Sequence, residues 1–348
     1  MGRAPWGARI RATAGALLVL LAAAGCATRV PVTVTRPAEV NMAGARKIAV
    51  LDFPVTAERR LDKGFLLHLV LNSVFGTRLG AIDQERRISE YTTERFILAL
   101  VRTGYFQVVG PDQLREAMGA VDLSGAGVVH IGSKADVRAV IHGEIYLLHT
   151  EDEEITATEE IVGPETDQTT EETSVRVVRT AALGLEYYVT RTDTGEVLAA
   201  RSFEDTLREE QPLEQEFLLP DPLDMYREIV DSFMPRVARQ LAPYTVRENR
   251  RLLRDRSGSP RMDQAKRLAR GRIYDRALEL YLQEWERTRN PAAGHNAAIM
   301  HEVTGDLDAA AALMKQVAER HPRRRILREY RRLQEARREQ QRLVEQLG

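Results

Sequence analysis

The sequence predicts a mixed-sheet α/β (α+β) domain followed by an all-α helical domain, and three observations carry that prediction. A short continuous apolar run, Ile48 to Leu51 within RKIAVLDF, opens a stretch where strand and helix patterns alternate, as layered α/β folds require. Charge is unevenly divided: Thr150 to Asp224 holds 21 acidic and 5 basic side chains, whereas Arg247 to Gly348 holds 24 basic and 15 acidic. The net charge of −1 over 348 residues hides that contrast. From Met262 onward the apolar spacing is helical throughout.

Taken in order, the chain opens with Arg3, Arg9 and Arg11 ahead of the apolar run Ala12 to Ala24. That run is too short for the ~20 residues a spanning helix needs, and reads as an export signal over residues 1–25. Ala23, Ala24 and Gly25 lead into Cys26, the only cysteine, which therefore has no internal disulfide partner. These residues resemble a bacterial lipoprotein signal, in which the cysteine is lipidated and becomes the mature N-terminus. Ala23 stands where leucine is usual. By the same resemblance, Ala27 implies the periplasmic face of an outer membrane. Residues 26–45, with Pro31 and Pro37, read as a flexible tether.

The α/β domain is expected over 46–253. After the first strand comes the crowded apolar segment Phe65 to Leu79, read as a core helix, an oligomer contact or an interfacial helix. Ile88, Tyr91, Phe96 and Leu100 place an amphipathic helix that stops near Gly104, followed by a strand over Phe106 to Val109. Pro111 and Asp112 suit the start of another helix. A short helix precedes the strand Ala135 to Thr150. Its partner, Val175 to Thr192, turns through DTGE into VLAARSFEDTL. A helix over Leu223 to Leu241 and a closing strand in YTVRENRRLL complete the domain, and the Ser-Gly-Ser-Pro stretch marks a linker at 254–261.

The order KIAVLDF, GYFQVVGPDQLREAM, ADVRAVIHGEIYLL and YYVTRTDTGEVLAARSF resembles the CsgG-like family, which includes curli secretion channels and is similar in fold to the LpoB-like activators of cell-wall synthases. The resemblance covers Arg46 to Leu253 and implies a fold, with no catalytic motif. Pore formation in that family uses membrane hairpins, whose lipid-facing strands alternate apolar and polar residues. Here the segment 151–172 carries carboxylates at both parities, so neither face suits hydrocarbon, and the first hairpin is expected to be absent. The segment reads as a solvated loop, or as an acidic surface for a cation or basic partner. Arg208 to Pro222 is equally unsuited to a second membrane hairpin.

Residues 262–348 resemble tetratricopeptide repeats with a C-terminal cap helix. Ala298, Gly305, Leu307, Ala310, Met314 and Pro322 match one copy, and Tyr274, Ala277 and Tyr281 match the other, with Pro291 displaced by about two positions. Such stacks present concave surfaces to partners. The candidate partner surface is Tyr274, Tyr281, His301, Arg324, Arg328 and Arg331. The arginine-rich helix reads as a solvated face paired with Glu329, Glu335 and Glu339, or as a surface for anionic lipid, cell-wall polymer or acidic protein.

No phosphate loop, nucleophile elbow or HExxH pair occurs. His295 and His301 do not share a helix face, His142 and His149 are expected on opposite strand faces, and Asp52 is read as a loop-capping carboxylate. The expectation is a non-catalytic, outer-membrane-anchored lipoprotein that binds other envelope proteins, without cofactor, metal or nucleic acid. Membership of an oligomeric export apparatus, with self-association, and activation of a cell-wall synthase are the alternatives.

Overall fold

Backbone contacts divide the chain into a sheet unit, Pro37–Tyr244 with Leu343–Gly348, and a helical unit, the chain up to Arg36 with Thr245–Arg342. The computed structural model describes residues 28–42, 44–56, 78–118, 125–162 and 169–347. The export signal, Cys26 and most of the apolar segment 65–79 lie outside the described residues. Among those described, no helix is long and apolar enough to cross a membrane.

The first strand corrects the tether reading of 26–45. Strand β1 (Arg29–Arg36) belongs to the helical unit, with Val30 and Val32 buried and Arg29, Thr33 and Thr35 exposed. The valine alternation of RVPVTVTR outweighs its proline, which a two-stranded ribbon accommodates where no ladder N–H is needed.

In the sheet unit, β2 (Lys47–Val50) is parallel to its neighbours on both sides. Its alternate residues enter two different cores. Ile48 and Val50 join the large cluster with Phe96, Ile141 and Phe233, whereas Ala49 and Leu51 join Leu114, Ile131 and Val140. Helix α1 (Arg78–Arg102) leads to β3 (Gln107–Val109), α2 (Pro111–Met118) and α3 (Gly125–Ala135), and then to β4 (Ala139–Val162), β5 (Thr169–Arg191) and β6 (Val197–Pro212). The sheet order is β3-β2-β4-β5-β6, with the last three antiparallel. A 3-10 turn, Leu213–Leu218, precedes α4 (Pro222–Leu241), whose start is fixed by Pro222 and by the Asp221 carboxylate accepting from Leu223 N.

Helices α1 and α4 pack together on one face of the sheet, and α2 and α3 cover the other. A run of rings, Phe53, Phe96, Tyr187, Phe203 and Phe233, crosses the larger core at centroid spacings of 4.9 to 6.2 Å. Buried rings of this size each contribute roughly 1.5–3 kcal/mol. Gly143 makes room for the first of them, since a Cβ there would lie 2.5 Å from Phe53 Cε1 and 2.2 Å from Glu186 O. The Tyr187 hydroxyl donates to Gln240 Oε1 at 2.7 Å.

Two expectations in this unit are overturned. The described residues of the acidic segment, 151–162 and 169–172, are not loop but strand, with β4–β5 pairing running from Glu151↔Thr180 to Val162↔Thr169, while β6 ends opposite Arg176. Carboxylates at both parities disfavour a lipid-facing strand, yet they do not oppose a strand with water on both sides. Residues 151–154 are exposed, and Arg179 binds Asp152 across the ladder at 2.6 and 2.8 Å. His142 and His149 share a face, because a register shift between Ile145 and Leu147 inserts one extra residue. Ile141 and Ile145 before the bulge, and Leu148 after it, pack against the same core, which leaves both histidines on the other side.

Strand β7 (Tyr244–Arg251) is the expected closing strand, but it pairs with β1 rather than with the main sheet. The linker that follows is pinned, with Asp255 accepting from Ser257 N, Ser257 Oγ and Asn290 Nδ2. Five helices follow among the described residues: α5 (Pro260–Arg270), α6 (Tyr274–Thr288), α7 (Pro291–Val303), α8 (Leu307–Arg320) and α9 (Arg324–Leu347), the last belonging to this unit as far as Arg342. Each of α5, α6 and α7 packs on the next. The helical region thus starts at Pro260, and Pro291 opens α7 rather than closing a repeat.

Candidate functional site

Helix α7 is the centre of the helical unit, and its composition explains why. Asn290 caps it by accepting from Ala292 N at 2.9 Å, and small residues follow, so that neighbours approach on every side. At Gly294 a Cβ would stand 2.5 Å from Val317 Cγ2 of α8 and 2.8 Å from Trp285 Cε3 of α6. Burial all round forces its polar residues to find protein partners. The Asn296 amide does so as a strand would, accepting from Leu253 N at 2.7 Å and donating to Leu253 O at 3.0 Å.

Glu302 anchors an ionic network among α7, β7 and α9. It accepts from Arg250 Nε at 2.9 Å and from Arg332 Nη1 at 2.8 Å, and its side chain is only 5% exposed. Arg332 also binds Glu329 at 2.7 Å, Arg250 binds Glu248 at 2.5 Å, and Arg36 of β1 joins Glu248 to Glu339. Burial alone would lower the Arg332 pKa, but the hydrogen bonds and charge of Glu302 raise it above the ordinary arginine value. For Glu329 burial acts upward, and Arg332 with its neighbours brings the net pKa below the usual carboxylate value.

Beside this network lies a cleft of about 320 Å3. Arg251 of β7, Arg325 and Arg328 of α9, His295 of α7 and Asn249 line it, together with Arg250, Glu329 and Arg332 of the network. Among the described residues Arg251, Arg325 and Arg328 have no carboxylate partner, and Arg325 Nη2 reaches only the Arg251 carbonyl, at 3.4 Å. The Arg325 pKa is lowered, first by burial and then by the like charges of Arg251 and Arg328. His295 is 1% exposed, and burial holds its pKa down to about 4, so its imidazole is neutral at neutral pH. A second groove, about 500 Å3, is lined by Pro322, Arg324, Leu327, Arg328 and Arg331 and shares Arg328 with the first.

Of the residues nominated from sequence, Arg324, Arg328 and Arg331 come together in that second groove. The others do not. Tyr281 is 1% exposed and sits in the core, which corrects its nomination as a contact surface: an aromatic at helical spacing is filling the stack. Tyr274 packs half-buried against the same core, and half-buried His301 lines neither cleft. Asp52 pairs with Arg115 at the surface, and among the described residues it caps no loop. Arg251, Arg325 and His295 were not nominated. One signal was present, for the first turn of α9 holds arginines and no acid, against the usual helix-dipole preference.

No protein-family model and no curated protein matches the sequence. Solved structures with a similar chain trace include the PelC dodecamer from Paraburkholderia phytofirmans, 8% identical over 61% of this chain and 98% of that one, with a TM-score of 0.27. A Helicobacter pylori homologue of a neuraminyllactose-binding hemagglutinin is 10% identical over 60% of this chain and 89% of its own, with a TM-score of 0.28. The hypothetical protein CT253 from Chlamydia trachomatis is 13% identical over 56% and 98%, with a TM-score of 0.24.

Proposed function

We propose that this chain is a non-catalytic adaptor of the cell envelope, anchored through lipid on Cys26 to the periplasmic face of an outer membrane, with a CsgG-like sheet unit and a tetratricopeptide-like helical unit that holds partner proteins. The observation that carries the reading is the groove of Arg324, Leu327, Arg328 and Arg331, where exposed cations surround an apolar side chain on one helix face. A surface of that kind suits an acidic segment of a partner, and tethering would raise the partner's local concentration without covalent chemistry. A photo-crosslinking residue at Leu327, read in cells by mass spectrometry, tests it. The expected result is a recurrent envelope-protein adduct that disappears with Arg328→Glu; adducts indifferent to that substitution would remove the groove from the reading. Cys26→Ser should release the chain from the outer-membrane fraction, and retention after a high-salt wash would remove the anchor.

The two-stranded extension of β4–β5 past the end of β6 favours a second reading, self-association into an export assembly. Cross-linked ladders of this chain alone, abolished by removing the paired ends of β4 and β5 beyond Ile155↔Arg176, would select it over the adaptor.

A further inference from the structure

We propose that the cleft between β7, α7 and α9 binds a phosphate monoester, held as a tetrahedral dianion by Arg251, Arg325 and Arg328. This goes beyond the adaptor reading and needs neither the lipid anchor nor the second groove.

The argument starts from neighbouring arginines with opposite fates. Arg250 and Arg332 each contact two carboxylates, so their charge is spent within the protein. Arg251 is the next residue along the same strand, and Arg325 and Arg328 precede Arg332 on the same helix. These three line a common cleft without any carboxylate of their own among the described residues. Glu329 also lines it, but Arg332 already engages that carboxylate at 2.7 Å. The cleft therefore gathers three positive charges that contact no carboxylate among the described residues, and the Arg325 pKa is lowered first by burial and then by the repulsion of Arg251 and Arg328, against an opposing pull from Glu329. The first turn of α9, which holds Arg324 and Arg325 and no acid, adds the positive end of a helix dipole. A protein bears such an arrangement at a cost in stability unless an anion relieves it.

Charge and shape select the anion. A single carboxylate offers two oxygens and one charge, which would leave most of the cluster uncompensated. A phosphate monoester offers about two charges and three acceptor oxygens, enough for paired N–H contacts from more than one guanidinium. The neutral imidazole of His295 and the Asn249 amide add hydrogen-bonding groups without charge. The volume of about 320 Å3 accommodates the phosphate and the first atoms of its substituent. That substituent could be the glycerol of a lipid headgroup or a soluble metabolite, and the chemistry at the phosphate is the same.

Isothermal titration of the full-length chain in neutral detergent, with glycerol 3-phosphate and with inorganic phosphate, tests the proposal. Saturable binding is expected, weakened roughly tenfold or more by Arg325→Gln or Arg328→Gln and unaffected by Arg338→Gln, which lies outside the cleft. Arg325→Lys should recover part of the loss, and unchanged Trp285 fluorescence in each variant would show that the unit is folded. Nanodiscs with and without phosphatidic acid then separate the two sources of phosphate. No saturable binding up to about 10 mM, or an equal loss in Arg338→Gln, would overturn the proposal. So would displacement by a glutamate-rich peptide in the absence of any phosphate binding, which would reassign the cleft to acidic protein segments.

Discussion

Arg250 and Arg251 are adjacent in sequence and belong to different structures. The first is buried between Glu248 and Glu302, while the second faces a cleft with arginines of α9 and no carboxylate partner among the described residues. The same division runs along α9, where Arg332 turns inward to Glu302 and Arg325 and Arg328 turn toward the cleft. A buried ion pair costs little when both partners are present, but it becomes a liability when one is removed. An unpaired cation at the surface is a small cost held in reserve for a ligand. One arginine-rich run thus supplies both a scaffold and a binding surface, and the two can be separated by how each responds to loss of charge.

The largest expected effect tests the scaffold. Glu302→Gln leaves Arg250 and Arg332 without their shared carboxylate, and should cost about 3–5 kcal/mol in urea unfolding followed through the fluorescence of buried Trp285. A loss below about 1 kcal/mol would mean that water compensates these charges, and that the inner set is no scaffold. The next effect concerns pH. Burial depresses the His295 pKa to about 4 from an unfolded value near 6.5, so the unfolded state binds more protons throughout that window. Its contribution is complete above pH ~6.5 and is lost as pH falls through the folded value, by an amount on the order of 3 kcal/mol. Glu329, also depressed, adds to the loss only below its own unfolded value near 4.5. Repeating the unfolding series with His295→Gln should flatten the slope between about pH 6.5 and 4, while an unchanged slope would assign the acid loss to other groups.

Much of the fold was legible because it rests on local periodicity. The buried aliphatic run of β2, the proline and aspartate opening α2, and the amphipathic spacing of α4 each state their element within a few residues. What was not legible depends on distant partners. β1 was read as a tether because its pairing strand, β7, begins more than two hundred residues later, and the acidic ends of β4 and β5 were read as a loop because charge parity reports the medium around a strand rather than its pairing. The bulge that brings His142 and His149 to one face has no local signature in HGEIYLLH. At the candidate site, the arginines of α9 were visible as a run, and Arg328 was singled out. Which arginines are spent inside the protein is decided by Glu302 on α7 and by the register of β7, neither of which the arginine spacing encodes. Tyr281 failed as a surface residue for a related reason, since the same spacing that marks a helix face does not say whether that face is covered.

Packing around α7 offers an uncharged control for the scaffold. Gly294→Ala places a methyl group against Val317 and Trp285 and should cost about 1–3 kcal/mol in the same assay, leaving the ionic network intact. If its cost instead fell below about 0.5 kcal/mol, α6 and α8 would have room to move apart, and the rigidity ascribed to the inner set would have to come from charge alone.

The smallest expected effect is the most informative about the outer set. Arg328→Gln removes a cation that repels Arg325 and, among the described residues, pairs with no carboxylate. Stability should therefore change by no more than about 0.5 kcal/mol, and the sign should favour the variant at low salt, with the gain fading as salt screens the repulsion. A structural arginine would behave in the opposite way, losing stability on neutralisation, most strongly at low salt. Comparing Arg328→Gln with Glu302→Gln across ionic strength consequently distinguishes charge held for a ligand from charge that holds the fold. The distinction stands whichever anion the cleft takes, because it is read from the unliganded protein.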